Sequence, residues 1–101
     1  MKHKCAAIGV ALTLAGMAGA AIAQDMNYGR NLAAACASCH GTNGKSAGHM
    51  DDLAGMPKDR IVQHMKDFKA GTKPATVMHQ LAKGYSETQI EAIASYFSAQ
   101  K

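Results

Sequence analysis

Cys36-Ala37-Ser38-Cys39-His40, two cysteines three positions apart with a histidine directly after the second, constrains this chain more than any other stretch of its 101 residues. C-x-x-C-H is a haem-attachment signature. Each thiol adds to one vinyl group on adjacent edges of the porphyrin, and the next residue then lies under the iron, where its imidazole can coordinate. The motif predicts one covalently bound haem, with Cys36 and Cys39 as thioethers and His40 as the proximal axial ligand.

Three other uses of such a pair fit the surroundings less well. A thioredoxin-like dithiol belongs in a strand-helix setting, whereas Asn31-Leu32-Ala33-Ala34-Ala35 ahead of Cys36 reads as helix. A structural zinc needs four ligands, usually as two paired clusters, and the sequence has no second cysteine pair. A disulfide closing so short a loop adds little stability.

The first residues read as a leader. Met1 to Lys4 form a short basic start, Ala6 to Ala18 an apolar run, and Ala21-Ile22-Ala23 a small-x-small cleavage site. The expected organisation is a secretory signal peptide over residues 1–23 followed by a single haem-binding domain over residues 24–101. The apolar run is shorter than the roughly 20 residues of a membrane-spanning helix, so no membrane anchor is expected. Cys5 precedes that run, where no lipid-attachment cleavage would place it, and should leave with the leader.

The formal net charge of +4 includes Lys2 and Lys4 of the leader. The remainder is only mildly basic, and Lys58, Arg60, Lys66, Lys69 and Lys73 alternate with Asp59 and Asp67. Nucleic-acid binders carry a dense basic face, so no nucleic-acid partner is expected. The alternation suits a solvated helix face or a weak steering patch for an acidic partner.

A domain this small buries too little apolar surface for a comfortable core and needs a staple. After the leader the only aromatics are Tyr28, Phe68, Tyr85, Tyr96 and Phe97, with no Trp, so a large flat cofactor would fill space that side chains do not.

Four segments carry helix signals and none a strand signal. Asn27 can cap a first helix through about Ala37, with Gly29 and Leu32 on one face. Gly41 to Gly48 is too rich in Gly, Asn and Ser for a helix and should wrap one haem edge. Pro57 suits the first turn of a second helix, in which Ile61, Val62, Met65 and Phe68 recur at helical spacing and which Gly71 stops. A short third helix is expected from Thr76 to Ala82. Ser86 and Gln89 form a capping box for the last, roughly Glu87 to Gln100, whose apolar stripe is Ile90, Ile93, Ala94 and Phe97. This last helix should pack on the first through the small Gly29.

What fills the sixth iron position decides between carrier and catalyst. Met26 is too close to Cys36 to cross to the opposite face, Met65 belongs to the second helix's buried stripe, and Met50 and Met56 flank the segment expected on the proximal side. Met78, after the Gly71 to Pro74 turn and before the last helix, can reach the distal face; His79 is the alternative. A thioether raises the potential and a second imidazole lowers it, but either blocks oxygen or peroxide.

These residues resemble the class I c-type cytochromes, most closely the cytochrome subunit of flavocytochrome c sulfide dehydrogenase. The likeness lies in Asn31-Leu32-Ala33, Cys39-His40-Gly41-Thr42-Asn43-Gly44, Leu53-Ala54-Gly55, Phe68-Lys69-Ala70-Gly71, Pro74-Ala75-Thr76-Val77-Met78 and Ala82-Lys83-Gly84-Tyr85-Ser86. In that pattern the Met eight residues before the Ser is the distal ligand, here Met78. The resemblance implies an all-α fold of about four helices around one haem c, a periplasmic location, and a flavoprotein partner that oxidises sulfide and passes electrons to the haem. The same pattern recurs in free soluble carriers feeding a terminal oxidase or other reductase.

The chain departs from the pattern twice. Family members usually have Pro two residues before Leu-Ala-Gly, its carbonyl accepting the proximal imidazole N–H; here that residue is Asp51. The aromatic often found early in the second helix is Arg60, a candidate partner for a haem propionate. The reading is an electron carrier without a bound substrate, exchanging electrons at a haem edge near Cys36 and Cys39, where Ala37 and Met50 offer a small apolar contact ringed by Lys.

Overall fold

The computed structural model describes residues 27–101 and, apart from them, Gly9. Apart from Gly9, the expected leader lies outside the described residues, as do Met26 and the boundary expected after residue 23.

The chain is helical over residues 27–33 (α1), passes through a 3-10 turn at Ala34–Cys36, and resumes as α2, Ala37–His40. Asn27 is already helical, so it is not the cap that its side chain suggested. Gly41 stops α2 at φ +85, where a Cβ would meet the Lys45 carbonyl oxygen at 1.8 Å; only glycine fits there.

Helix α3 spans Lys58–Ala70. Pro57 stands one residue before it, and its carbonyl accepts from the N–H groups of Arg60 and Ile61 at 3.0 and 3.2 Å. Gly71, left-handed at φ 76, returns its N–H to the carbonyls of Asp67 and Phe68 and ends the helix. The face expected to be apolar is the one buried, through Ile61, Val62 and Met65, with Phe68 half-buried beside them.

Helix α4 is Met78–Lys83, two residues later than the expected start, with Thr76 and Val77 in a bend. It packs on α3 and buries Ala82 completely. Lys69 of α3 donates its Nζ hydrogen to the Tyr85 carbonyl, tying α3 to the turn that leaves α4.

Helix α5, Glu87–Ser98, is shorter by two residues than expected and begins with the predicted capping box. Ser86 Oγ accepts from Gln89 N at 3.2 Å, and Ser86 N donates to Gln89 Oε1 at 2.9 Å. Its stripe of Ile90, Ile93, Ala94 and Phe97 is buried, each large side chain contributing about 1.5–3 kcal/mol. One side of α5 faces α3, where Lys58 and Glu91 pair at 3.0 Å on the surface. Another side receives α1 at Gly29, whose missing side chain lets the backbones touch. Every regular element among the described residues is helical, and none of these helices is long and apolar enough to cross a membrane.

Candidate haem site

Residues 36–40 straddle the junction between the 3-10 turn and α2. Cys36, half-buried, packs against the core, while Cys39 is exposed. Burial pushes the Cys36 thiol above its ordinary value, and the negative charge of a Cys39 thiolate nearby adds to the effect. Both sulfurs are free thiols, close enough to sense each other and not bonded. Among the described residues no group of three or more His, Cys, Asp or Glu side chains is placed to hold a metal ion.

His40 ends α2 with its ring nitrogen Nδ1 2.8 Å from the Asp51 carbonyl oxygen. A carbonyl only accepts, so Nδ1 carries the proton and Nε2 keeps its lone pair for a metal. The expected partner position is therefore used although Asp replaces Pro, because the contact needs only the backbone oxygen. The segment carrying it folds back on the Gly41–Gly44 turn: the Gly44 carbonyl accepts from Leu53 N at 2.8 Å and Ala54 N at 3.1 Å, and Asp52 Oδ1 accepts from Ser46 N at 2.5 Å. Gly44, buried at φ +78, has no room for a Cβ, which would stand 2.7 Å from Phe97 Cδ1. Gly55 N then donates to the Phe97 carbonyl at 2.9 Å, fixing the end of this loop to α5.

The two candidates for the distal position, Met78 and His79, lie on a separate element from this loop. Met78 opens α4, half-buried against the same core as Cys36 and Tyr85. Burial raises the Tyr85 phenol and the charge of a Cys36 thiolate raises it further, so the turn after α4 comes close to the first cysteine. His79 turns away from that region: its Nε2–H donates to the Lys73 carbonyl, and its ring lies 6.3 Å from that of Phe68. Met65 is in the core, Met50 and His49 are exposed, and Met56 packs against the core. Arg60 is exposed at the start of α3. Val77 and Leu81, about half exposed, flank Met78 with further apolar surface.

This donor set suits haem. Two thiols one helical turn apart, an imidazole whose Nδ1–H is already satisfied, and a thioether on a separate apolar element are what covalent attachment and two axial ligands require. The Asp52 contact was not foreseen from the sequence. An acid following the Pro-equivalent position was visible, but its partner, Ser46, is set by the fold-back at Gly44.

The sequence model of the family described as "Cytochrome c" matches residues 18–101. The chain belongs to the cytochrome c family. This cytochrome is 41% identical over 69 residues, 68% of its length and 63% of the relative's, to the cytochrome subunit of sulfide dehydrogenase of Chlorobaculum tepidum. It is 34% identical over 100 residues to cytochrome c4 of Azotobacter vinelandii, covering 89% of this chain but 47% of the other. With cytochrome c-553 of Helicobacter pylori it shares 32% identity over 94 residues, 91% of this chain and 95% of the relative. The chain thus spans less than two thirds of the first two and nearly all of the third.

Family and fold together make this cytochrome an all-α, electron-transferring protein with covalently bound haem c, for which Cys36 and Cys39 have the required spacing.

Proposed function

We propose that this cytochrome is the exported, periplasmic haem subunit that accepts electrons from a sulfide-oxidising flavoprotein. In this reading residues 1–23 are removed as a signal peptide and residues 24–101 form the haem domain. Cys36 and Cys39 carry the two thioether links, and His40 and Met78 are the proximal and distal ligands. Haem held there supplies a one-electron Fe(III)/Fe(II) couple. His40 keeps Nε2 directed by giving its Nδ1–H to Asp51. Met78 would supply the second ligand and leave no site for oxygen or peroxide, while His79 is occupied with the Lys73 carbonyl. The electron enters and leaves through partners, with no ligand exchanged.

The observation that carries the subunit assignment is the 41% identity to the sulfide dehydrogenase subunit. A free soluble carrier delivering electrons to a terminal oxidase or other reductase is the second reading, favoured by the 95% coverage of cytochrome c-553. Purifying the native protein separates them. A flavin-containing chain should co-purify and reduce the haem when sulfide is added; a haem protein that emerges alone is the free carrier. The enzyme-like alternative, a gas-binding or peroxidatic haem, predicts rapid stoichiometric carbon monoxide binding by the reduced protein at neutral pH, which a Met78-ligated iron refuses.

A further inference from the structure

The carbonyl that receives the His40 Nδ1–H belongs to Asp51, an exposed residue in a segment without regular structure. Nothing in the Asp51 backbone itself limits where that oxygen points. The neighbouring residues do. On the far side, Leu53 N and Ala54 N both bond to the Gly44 carbonyl. On the near side, residues 46–51 would form an open bight but for one cross-link, from Ser46 N to Asp52 Oδ1. Ser46 is in turn braced by Gly48 N, which donates to its Oγ at 3.2 Å.

Resting on the assignment of His40 as an iron ligand, we propose that the Asp52 carboxylate is a positioning residue for His40. It closes the bight across Ser46 and so holds the Asp51 carbonyl, one peptide away, against the imidazole. A carboxylate accepting a backbone N–H forms a charge-assisted bond stronger than a neutral one, and the outer partner of a metal-bound histidine controls its ring orientation and basicity. Asp52 touches neither His40 nor the haem position; it acts through the peptide it anchors. The role belongs to the carboxylate oxygen as an acceptor, so Asn can replace it in part and Ala cannot.

The test uses the complete haem-loaded protein labelled with 15N-histidine, reduced so that the iron is diamagnetic, and measures exchange of the His40 Nδ1–H with water by NMR. Asp52→Ala should speed that exchange about tenfold, the consequence of losing one charge-assisted bond, while Asp52→Asn, which keeps a neutral acceptor of about half the strength, should speed it only about threefold. Because the side chain is exposed, both variants should keep the parent's helicity and haem content. Unchanged exchange in Asp52→Ala overturns the proposal, and so does equal acceleration in Asp52→Asn, which would make charge alone responsible. A parent protein lacking any haem-shifted His40 Nδ1–H resonance would overturn the ligand assignment itself, an outcome distinct from a failure confined to the variants.

Discussion

Gly29 approaches Ala92 so closely that a Cβ on the glycine would stand 2.5 Å from the Ala92 carbonyl oxygen and 3.4 Å from Tyr96 Cβ. The obstruction is backbone on a helix whose opposite face is buried, so it has little freedom to retreat. Forcing in one methyl therefore moves α1, and α1 leads directly into the haem-binding cysteines. Gly29→Ala should cost about 1–3 kcal/mol, read as a lower thermal midpoint by circular dichroism in the haem-loaded protein. An unchanged midpoint would mean that α1 and α5 do not meet this tightly in solution.

The sixth ligand is checked by a pair of substitutions. Met78→Ala should abolish the far-red sulfur-to-iron charge-transfer band of the oxidised protein, lower the potential and admit carbon monoxide to the reduced iron. His79→Ala should keep the band and reject carbon monoxide, since its Nε2 is engaged by Lys73. A parent protein without the band, in which His79→Ala and not Met78→Ala admits carbon monoxide, would assign the iron to His79.

Removing the cofactor tests the need for a staple. The buried apolar residues among those described are Ala33, Ile61, Val62, Met65, Ala82, Ile90, Ile93, Ala94 and Phe97, three of them alanine, and only Ile90 and Phe97 are large side chains less than 2% exposed. Such a core rarely exceeds about 3–5 kcal/mol. Cys36→Ala with Cys39→Ala, which prevents attachment, should yield a largely unfolded chain by circular dichroism; a helical, cooperatively melting product would show that the polypeptide folds unaided.

Ser86 should prove a purely local contributor. Ser86→Ala removes one half of the capping box and leaves the Gln89 N–H unsatisfied, at a cost of about 1 kcal/mol. The effect should appear as a small fall in melting temperature with the visible spectrum and potential unchanged. A shifted potential would mean that α5 transmits strain to the haem.

How much of this was readable in advance depended on how local each cause is. The capping box and stripe of α5 are set by residues three or four positions apart, and both were found as expected. So were the buried face of α3 and its stop at Gly71. The break in the first helix was hidden, because Ala33-Ala34-Ala35 contains only strong helix formers and the 3-10 turn appears only in the packed chain. The start of α4 moved from Thr76 to Met78, β-branched Thr76 and Val77 gaining little from joining the helix. At the site, the cysteines and His40 announce themselves by spacing and the Asp51 carbonyl by its place in the pattern. The Asp52 contact to Ser46 has no such signature, since it exists only once Gly44 has turned the loop back.

Tyr96 donates its hydroxyl to Asn43 Oδ1 at 2.6 Å, joining residues 53 positions apart in the chain. With Gly29 against Ala92 and Gly55 N bonded to the Phe97 carbonyl, this makes α5 the element to which the segments on either side of Cys36, Cys39 and His40 are tied. The last helix in the chain thus fastens residues 29, 43 and 55 at once, so the cysteine motif between them takes its final setting only when α5 docks.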